Sequence, residues 1–265
     1  MTTGLSLAEL NFYEQNGYLH VKQLLTADEA ATYREAAHQL AERTGHSDAT
    51  WKSVRTLDPG GRLRLTHCHD VQFYSAAFSR LILDPRLTGI AQAIIGPNVQ
   101  LHHTKMFIKP PEHGAPFPMH QDYHYFPHEK HSMIAVIIHF DDAPVEKGCL
   151  TVIPGTHKLG PLEAIGQDHH LPSELFPADR AIAIPARAGD AIFMSYLLVH
   201  GSGINHSKAP RTTLLVQMRD PTDPPVSGRH QSRGQGMMLA GIDPSHSSFE
   251  HVWHRKRQEQ AAPVI

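Results

Sequence analysis

Cysteine is nearly missing from this chain: its 265 residues contain two, Cys68 and Cys149. That excludes a disulfide framework, and the expected setting is a reducing cytoplasm. An excess of charge of one sign is missing too. A formal net charge of −2 gives neither nucleic acid nor a membrane surface an electrostatic footing as a partner. No apolar run reaches the length of a bilayer span, and no signal-peptide pattern opens the chain. The last residues, Ala-Pro-Val-Ile, carry no peroxisomal address. There is no internal repeat and no low-complexity tract, and no segment marks a second domain. What remains is a chain long enough to bury one sizeable core.

Histidine is what the sequence has in excess, with 22 residues. That number points to metal chemistry, and it also makes histidine motifs easy to meet by accident. The first third reads helical. Ser6 followed by Glu9 is a capping box, with Gly17 suited to the stop. Thr26 followed by Glu29 is a second box, opening a helix that runs to about Arg43 with Gly45 beyond it. Pro85 starts a third helix that ends at Gly96-Pro97. From Val99 short apolar or β-branched runs alternate with Pro/Gly turns: 99–108, 133–140, 149–153, 181–184, 191–194 and 212–218. Many short strands predict a sandwich or barrel, and helices before strands predict an α+β chain. The expected division is a helical layer over about 1–96, a β core over about 97–220, and a loop with a weak terminal helix over 221–265.

A His-x-Asp/Glu pair is weak evidence, because 22 His and 26 acidic residues make about two by chance. The chain has three. His46-Ser-Asp48 follows the Gly45 helix stop in a polar segment and reads as a solvated loop. His139-Phe-Asp141 ends an apolar strand, but Asp141-Asp-Ala-Pro144 reads as a turn. His120-Gln-Asp122 follows a Pro-rich approach and enters a tract of aromatics, which suits a pocket wall. On an extended strand His120 and Asp122 would share a face. A third imidazole from a distant strand would complete the two-histidine, one-carboxylate set of non-haem Fe(II) sites. His200, at the end of the apolar run Tyr196–Val199 and before Gly201, is the best candidate; a hydrogen-bonded core histidine is the plainer reading of it alone. Arg211 lies eleven residues later, where a hairpin would return it beside His200 to grip a carboxylate bidentately.

The ordered segments Lys109-Pro-Pro111, His120-Gln-Asp-Tyr-His-Tyr-Phe-Pro127, Gly148-Cys-Leu-Thr-Val-Ile-Pro-Gly-Thr-His-Lys158, Gly189-Asp190 and His200-Gly-Ser-Gly203 with Arg211 carry a resemblance. Through them the sequence resembles the phytanoyl-CoA dioxygenase family of Fe(II)/2-oxoglutarate oxygenases. The resemblance covers roughly 96–220, with weaker echoes in the N-terminal helices. It implies a double-stranded β-helix, or jelly-roll, core flanked by N-terminal helices. It implies iron ligands at His120, Asp122 and His200, with Arg211 bridging the distal carboxylate of 2-oxoglutarate. Ser202 is the hydroxyl partner of that carboxylate, and Lys105 sits where the family's fold places another cosubstrate-side residue. Gln121 and His124 are the substrate-side candidates, His124 because alternation puts it on the ligand face. His157 belongs to a matched Pro-Gly turn and reads as architectural.

The family chemistry consumes O2 and a 2-oxo acid, releases succinate and CO2, and hydroxylates a small-molecule or acyl substrate, with ascorbate as the reductant in vitro. Halogenases of related architecture lack the carboxylate that Asp122 supplies, so hydroxylation or another oxidation without halide is expected. Desaturation, cyclisation or epimerisation at the same iron is the alternative within the class. A metal-binding jelly-roll protein without oxygenase activity, and a zinc hydrolase, are the alternatives outside it; Arg211 argues against both. A CoA thioester would need a basic landing site. Arg55, Arg62 and Arg64 offer one, although a solvated charged loop is the plainer reading of them.

Overall fold

The computed structural model describes residues 4–42, 54–57, 63–112, 114–166, 169–226 and 232–244, with the backbone alone for 54–57 and 63–65. His46, Asp48, Gly45, Arg62 and the expected terminal helix lie outside the described residues, as do the side chains of Arg55 and Arg64. Among the described residues, four α-helices, α1 (Leu7–Asn16), α2 (Ala27–Glu42), α3 (Ala76–Ile82) and α4 (Pro85–Ile95), accompany twelve strands. The strands are β1 (Tyr18–Val21), β2 (Val54–Leu57), β3 (Leu63–His69), β4 (Val99–Lys109), β5 (Phe117–His120) and β6 (Ile134–His139). They continue with β7 (Leu150–Val152), β8 (Ile182–Ile184), β9 (Ala191–Ser195), β10 (His200–Ser202), β11 (Arg211–Arg219) and β12 (Met238–Ala240).

Local chemistry explains the helix ends. Ser6 and Glu9 close the capping box of α1, and Gly17 ends that helix in the left-handed region at φ 79°. Thr26 and Glu29 exchange the same pair of bonds at the start of α2, at 2.7 and 3.2 Å. Asp84 caps α4 through the Arg86 N–H, with Pro85 at the first helical position. α3 carries no such signal. It is seven residues long and buries Phe78, Leu81 and Ile82, so it is held by tertiary packing. The first 96 residues are therefore not a purely helical layer, since β1, β2 and β3 all join the main sheet.

Eight strands form that sheet in the order β1-β9-β6-β11-β4-β3-β2, with β12 also on β4; a second sheet runs β5-β10-β7-β8. All their pairings are antiparallel. The pleat sorts the residues of the large sheet by face. Met106, Ile108, Leu214, Val216, Ile138, Val136 and Phe193 face outward and pack with Phe78, Leu81, Ile82 and Leu87 of the helices. Their immediate neighbours along each strand face inward. There Ala135, Ile192 and Met194 meet Leu150, Val152 and Ile184 of the small sheet. This is the expected jelly-roll core, with one hydrocarbon layer under the helices and another between the sheets. At one end of the inter-sheet layer, polar residues replace the hydrocarbon.

Candidate active site

β5 and β10 are neighbours in the small sheet, and their pairing sets His120 opposite His200. The two rings lie 4.2 Å apart between centroids. Each Nδ1–H donates to a carbonyl two residues earlier: His120 to Pro118 at 2.7 Å, His200 to Leu198 at 2.9 Å. A carbonyl only accepts, so the proton sits on Nδ1 and the Nε2 lone pair is left facing the cavity. Burial, with His120 beside it, pushes the His200 ring down to about 4, which keeps it neutral at pH 7.

Asp122 completes the group. His120 Nε2 is 3.7 Å and His200 Nε2 3.9 Å from its Oδ1. Its Oδ2 accepts a 2.7 Å hydrogen bond from the Gln217 amide of β11. Burial opposes ionisation of Asp122, but the His120 and His200 rings and the Gln217 amide hold its carboxyl below the ordinary range. One ligand atom from each of His120, Asp122 and His200 lies within 4.8 Å of the others, a set able to hold a metal ion. Strand alternation does not bring His120 and Asp122 together, contrary to the sequence-based expectation. β5 stops at His120, and Asp122 opens a 3-10 turn, Asp122–His124, that swings the carboxylate back.

A cavity of about 110 Å³ extends from this group between the sheets. Ser202 and Arg211 line it as well, so five of the candidate residues share one space. Arg211 does not reach it through a hairpin. β10 belongs to the small sheet and β11 to the large one, so the connection crosses the sandwich. The run Tyr196–Val199 is a turn, and the strand begins at His200 rather than ending there. Arg211 is 7% exposed, and its Nη1 donates to the carbonyl of Gly148. Gly148 has φ 63°, and a Cβ there would fall on the carbonyl oxygen of Gly203, so only glycine lets the two loops close on each other. Burial lowers Arg211 to about 10, so it stays charged at neutral pH.

Other candidates lie elsewhere. Lys105 is on the same sheet face, its ammonium 4.8 Å from the Phe107 ring centroid; burial pushes it down to about 8, against the pull of Asp122. The Gln121 amide is fully engaged away from the cavity, donating to Gly160 and Leu197 and accepting from the Leu162 N–H. His124 stacks on His169 at 5.7 Å and does not line the cavity. The 3-10 turn removes the alternation that had put it on the ligand face. Tyr123 packs on Tyr196 at 5.7 Å. His157 donates from Nε2 to the carbonyl of Glu14, in keeping with its architectural reading.

Sequence reasoning overlooked Lys109 and Gln217 beside the site and set His139 aside with its His-x-Asp motif. Lys109 is wholly buried and donates to Ser202 Oγ at 2.9 Å and Gly203 O at 2.7 Å. Burial and the neighbouring Arg211 push its amine down to about 6. A signal was available in β11, where Arg211, Thr213 and Gln217 alternate with Thr212, Leu214, Val216 and Met218. Three of the four inner positions from 211 to 217 are polar, with Leu215 the fourth, and polar residues recurring at spacing two in an apolar strand mark a face turned to a site rather than to the core. His139 does enter the cavity, while its motif partner Asp141 turns away to accept the Thr212 N–H at 2.9 Å.

A family model described as Phytanoyl-CoA dioxygenase (PhyH) matches residues 13–213. The chain belongs to the phytanoyl-CoA dioxygenase family. The family is one of iron- and 2-oxoglutarate-dependent oxygenases, and membership sets the class of this chain. The chain is 29% identical over 231 residues to the peroxisomal phytanoyl-CoA dioxygenase of Rattus norvegicus, covering 79% of this chain and 67% of that protein. It is 28% identical over 234 residues to the ectoine dioxygenase of Streptomyces avermitilis, covering 80% and 78%. Among solved structures, the epimerase SnoN in complex with Fe3+, alpha ketoglutarate and nogalamycin RO is 27% identical with a TM-score of 0.67, over 89% of this chain and 96% of that one. EctD from S. alaskensis with 2-oxoglutarate and 5-hydroxyectoine, at 21% identity, covering 88% of this chain and 85% of that one, and with a TM-score of 0.72, shares the fold. Among the described residues, no helix is long and apolar enough to cross a membrane.

Proposed function

We propose that this phytanoyl-CoA dioxygenase family member hydroxylates an aliphatic C–H of a small-molecule or acyl substrate, using Fe(II), O2 and 2-oxoglutarate and releasing succinate and CO2. The observation that carries the reading is one cavity lined both by the His120–Asp122–His200 group and by the buried guanidinium of Arg211. Two imidazoles whose Nδ1 atoms are taken up by backbone carbonyls, leaving Nε2 for a metal, and one carboxylate would suit a ferrous ion. Bound there, the iron would supply the oxidising chemistry with O2 and the 2-oxo acid. The chain's own residues do the rest. His120, Asp122 and His200 hold and orient the ion, and Gln217 fixes the carboxylate. Arg211 receives the distal carboxylate of 2-oxoglutarate, and Ser202, already a partner of Lys109, lies beside it. Lys105 adds positive charge on the same face. The apolar residues Phe107, Phe117, Ile137 and Leu215 keep the site dry.

A structural metal needs no carboxylate clamp, so the buried Arg211 counts against a non-oxygenase metal protein. Substrate-dependent succinate release with Fe(II), 2-oxoglutarate and ascorbate tests the reading. Wild type should release succinate with a suitable substrate, and Asp122→Gly should release none. Full activity in that variant would remove Asp122 from the ligand set. An anaerobic titration with Fe(II) and 2-oxoglutarate should give the weak visible band of the chelate, and its absence would favour zinc. The 27% identity to an epimerase supports a second reading, in which the same site epimerises or cyclises its substrate. The product's mass separates the two, since hydroxylation adds one oxygen and epimerisation none.

A further inference from the structure

One buried side chain of the cavity has no part in the reading above. His139 ends β6, is 1% exposed and lines the cavity. Its backbone is fully used: the N–H donates to Asp190 O at 2.9 Å and the carbonyl accepts from Gly189 at 2.8 Å. The ring is not used. Neither Nδ1 nor Nε2 has a hydrogen-bond partner among the described residues. Buried polar atoms of native proteins are nearly always paired, so an unpaired imidazole facing a cavity points to a ligand.

The neighbours define that ligand's chemistry. In the β6–β11 ladder His139 stands opposite Thr213, and Arg211 is its diagonal neighbour on the same face. Diagonal neighbours lie about 7–8 Å apart, within reach of long side chains. Arg211 spends Nη1 on the Gly148 carbonyl, but its buried Nε has no partner among the described residues. An imidazole N–H and a guanidinium N–H thus face the same end of the cavity, and the one carboxylate lining the cavity, Asp122, is engaged by Gln217 at 2.7 Å. An exogenous carboxylate would satisfy both donors.

We infer that His139 is a cosubstrate-positioning residue, its ring N–H donating to the distal carboxylate of the 2-oxo acid alongside Arg211. The inference rests on the proposed 2-oxoglutarate reading of the cavity. Burial and the Arg211 charge push the ring down to about 3, so it acts as a neutral donor rather than a second cation. Arg211 neutralises the carboxylate, while His139 fixes the direction in which it points. Such a pair selects for a dicarboxylic acid long enough to span from the metal ligands to the Arg211 end.

Calorimetry on the Mn(II)-loaded protein under argon tests this, with 2-oxoglutarate and with 2-oxobutyrate, which keeps the 2-oxo acid head but lacks the distal carboxylate. His139→Leu should weaken 2-oxoglutarate binding at least about tenfold and leave 2-oxobutyrate and Mn(II) binding unchanged. His139→Gln, which restores an N–H donor, should recover most of the loss and serves if the Leu variant does not fold. Wild-type binding of 2-oxoglutarate in both variants overturns the assignment and leaves the proposed function standing. Equal loss of both acids shows a merely structural role and overturns it too. A wild-type protein that binds neither acid sinks the cavity reading itself, and this assignment with it.

Discussion

Replacing Gln217 by Leu should loosen the metal site while leaving the fold in place. Gln217 is wholly buried in the middle of the large sheet, and its amide makes one hydrogen bond to the site, 2.7 Å to Asp122 Oδ2. A bond to a charged acceptor is worth about 1.5–3 kcal/mol. Without it the carboxylate can rotate away from the two imidazoles, and part of the metal's binding energy goes to holding it in place. Outer partners of this kind typically change metal affinity by about 10- to 100-fold. The metal-free fold should lose no more than that one bond, about 1.5–3 kcal/mol. Leucine nearly matches the volume, and the buried Gln217 Oε1, which has no partner among the described residues, disappears with the substitution. Anaerobic competition between the protein and a chelator for Fe(II) measures the first effect, and urea denaturation of the metal-free protein measures the second. A variant that folds normally and binds Fe(II) within twofold of wild type would refute the claim that Gln217 holds the ligand carboxylate.

Three other perturbations reach different parts of the molecule. Arg211→Ala should weaken 2-oxoglutarate binding at least about tenfold, the loss of one charge-assisted bond, with Fe(II) affinity unchanged; an unaltered cosubstrate constant would rule out the clamp. Asp190 is 4% exposed and accepts from His20, Gln23 and Arg187, each at 2.9 Å, tying β1 to the turn before β9. Asp190→Ala should cost about 3 kcal/mol in denaturant unfolding, and a cost under about 1 kcal/mol would show that water replaces those bonds. The hydrogen bond from Arg86 holds the Glu29 carboxyl at about 2, against an ordinary 4.5. A depressed acid contributes stability that is complete above 4.5 and is lost as pH falls toward 2. The melting temperature of Glu29→Gln should therefore fall less steeply than that of wild type between those values, and parallel curves would contradict the linkage.

Much of this molecule could be read in the sequence because local chemistry agrees with the final structure. Ser6 with Glu9 and Thr26 with Glu29 announce helices that form, and β4, β6, β9 and β11 fall within a residue of their apolar runs. β1 and β3 escaped notice for opposite reasons. Tyr18–Val21 is too short to show a period, and the end of β3 carries His67, Cys68 and His69 where an apolar alternation would be sought. The candidate site was legible as a set of residue types and illegible as a path. His120-x-Asp122 suggested a strand, but a 3-10 turn does the work, and Arg211 arrives from the opposite sheet. His139 shows the limit most clearly. As half of a second His-x-Asp motif it invited rejection, and only the sandwich reveals that the imidazole and its acidic partner part company.

The nine residues of β11 leave no slack. The even-numbered Leu214, Val216 and Met218 belong to the hydrocarbon beneath the helices, while the odd-numbered Arg211, Thr213 and Leu215 line the cavity and Gln217 reaches Asp122. One amino acid inserted into this segment would drive the guanidinium into oil and swing a leucine toward the metal, so that folding and catalysis would fail together. Descendants of this gene can exchange side chains along the strand, but they cannot change its length. Indels are confined to connections outside the strand, and diversity in length should accumulate there.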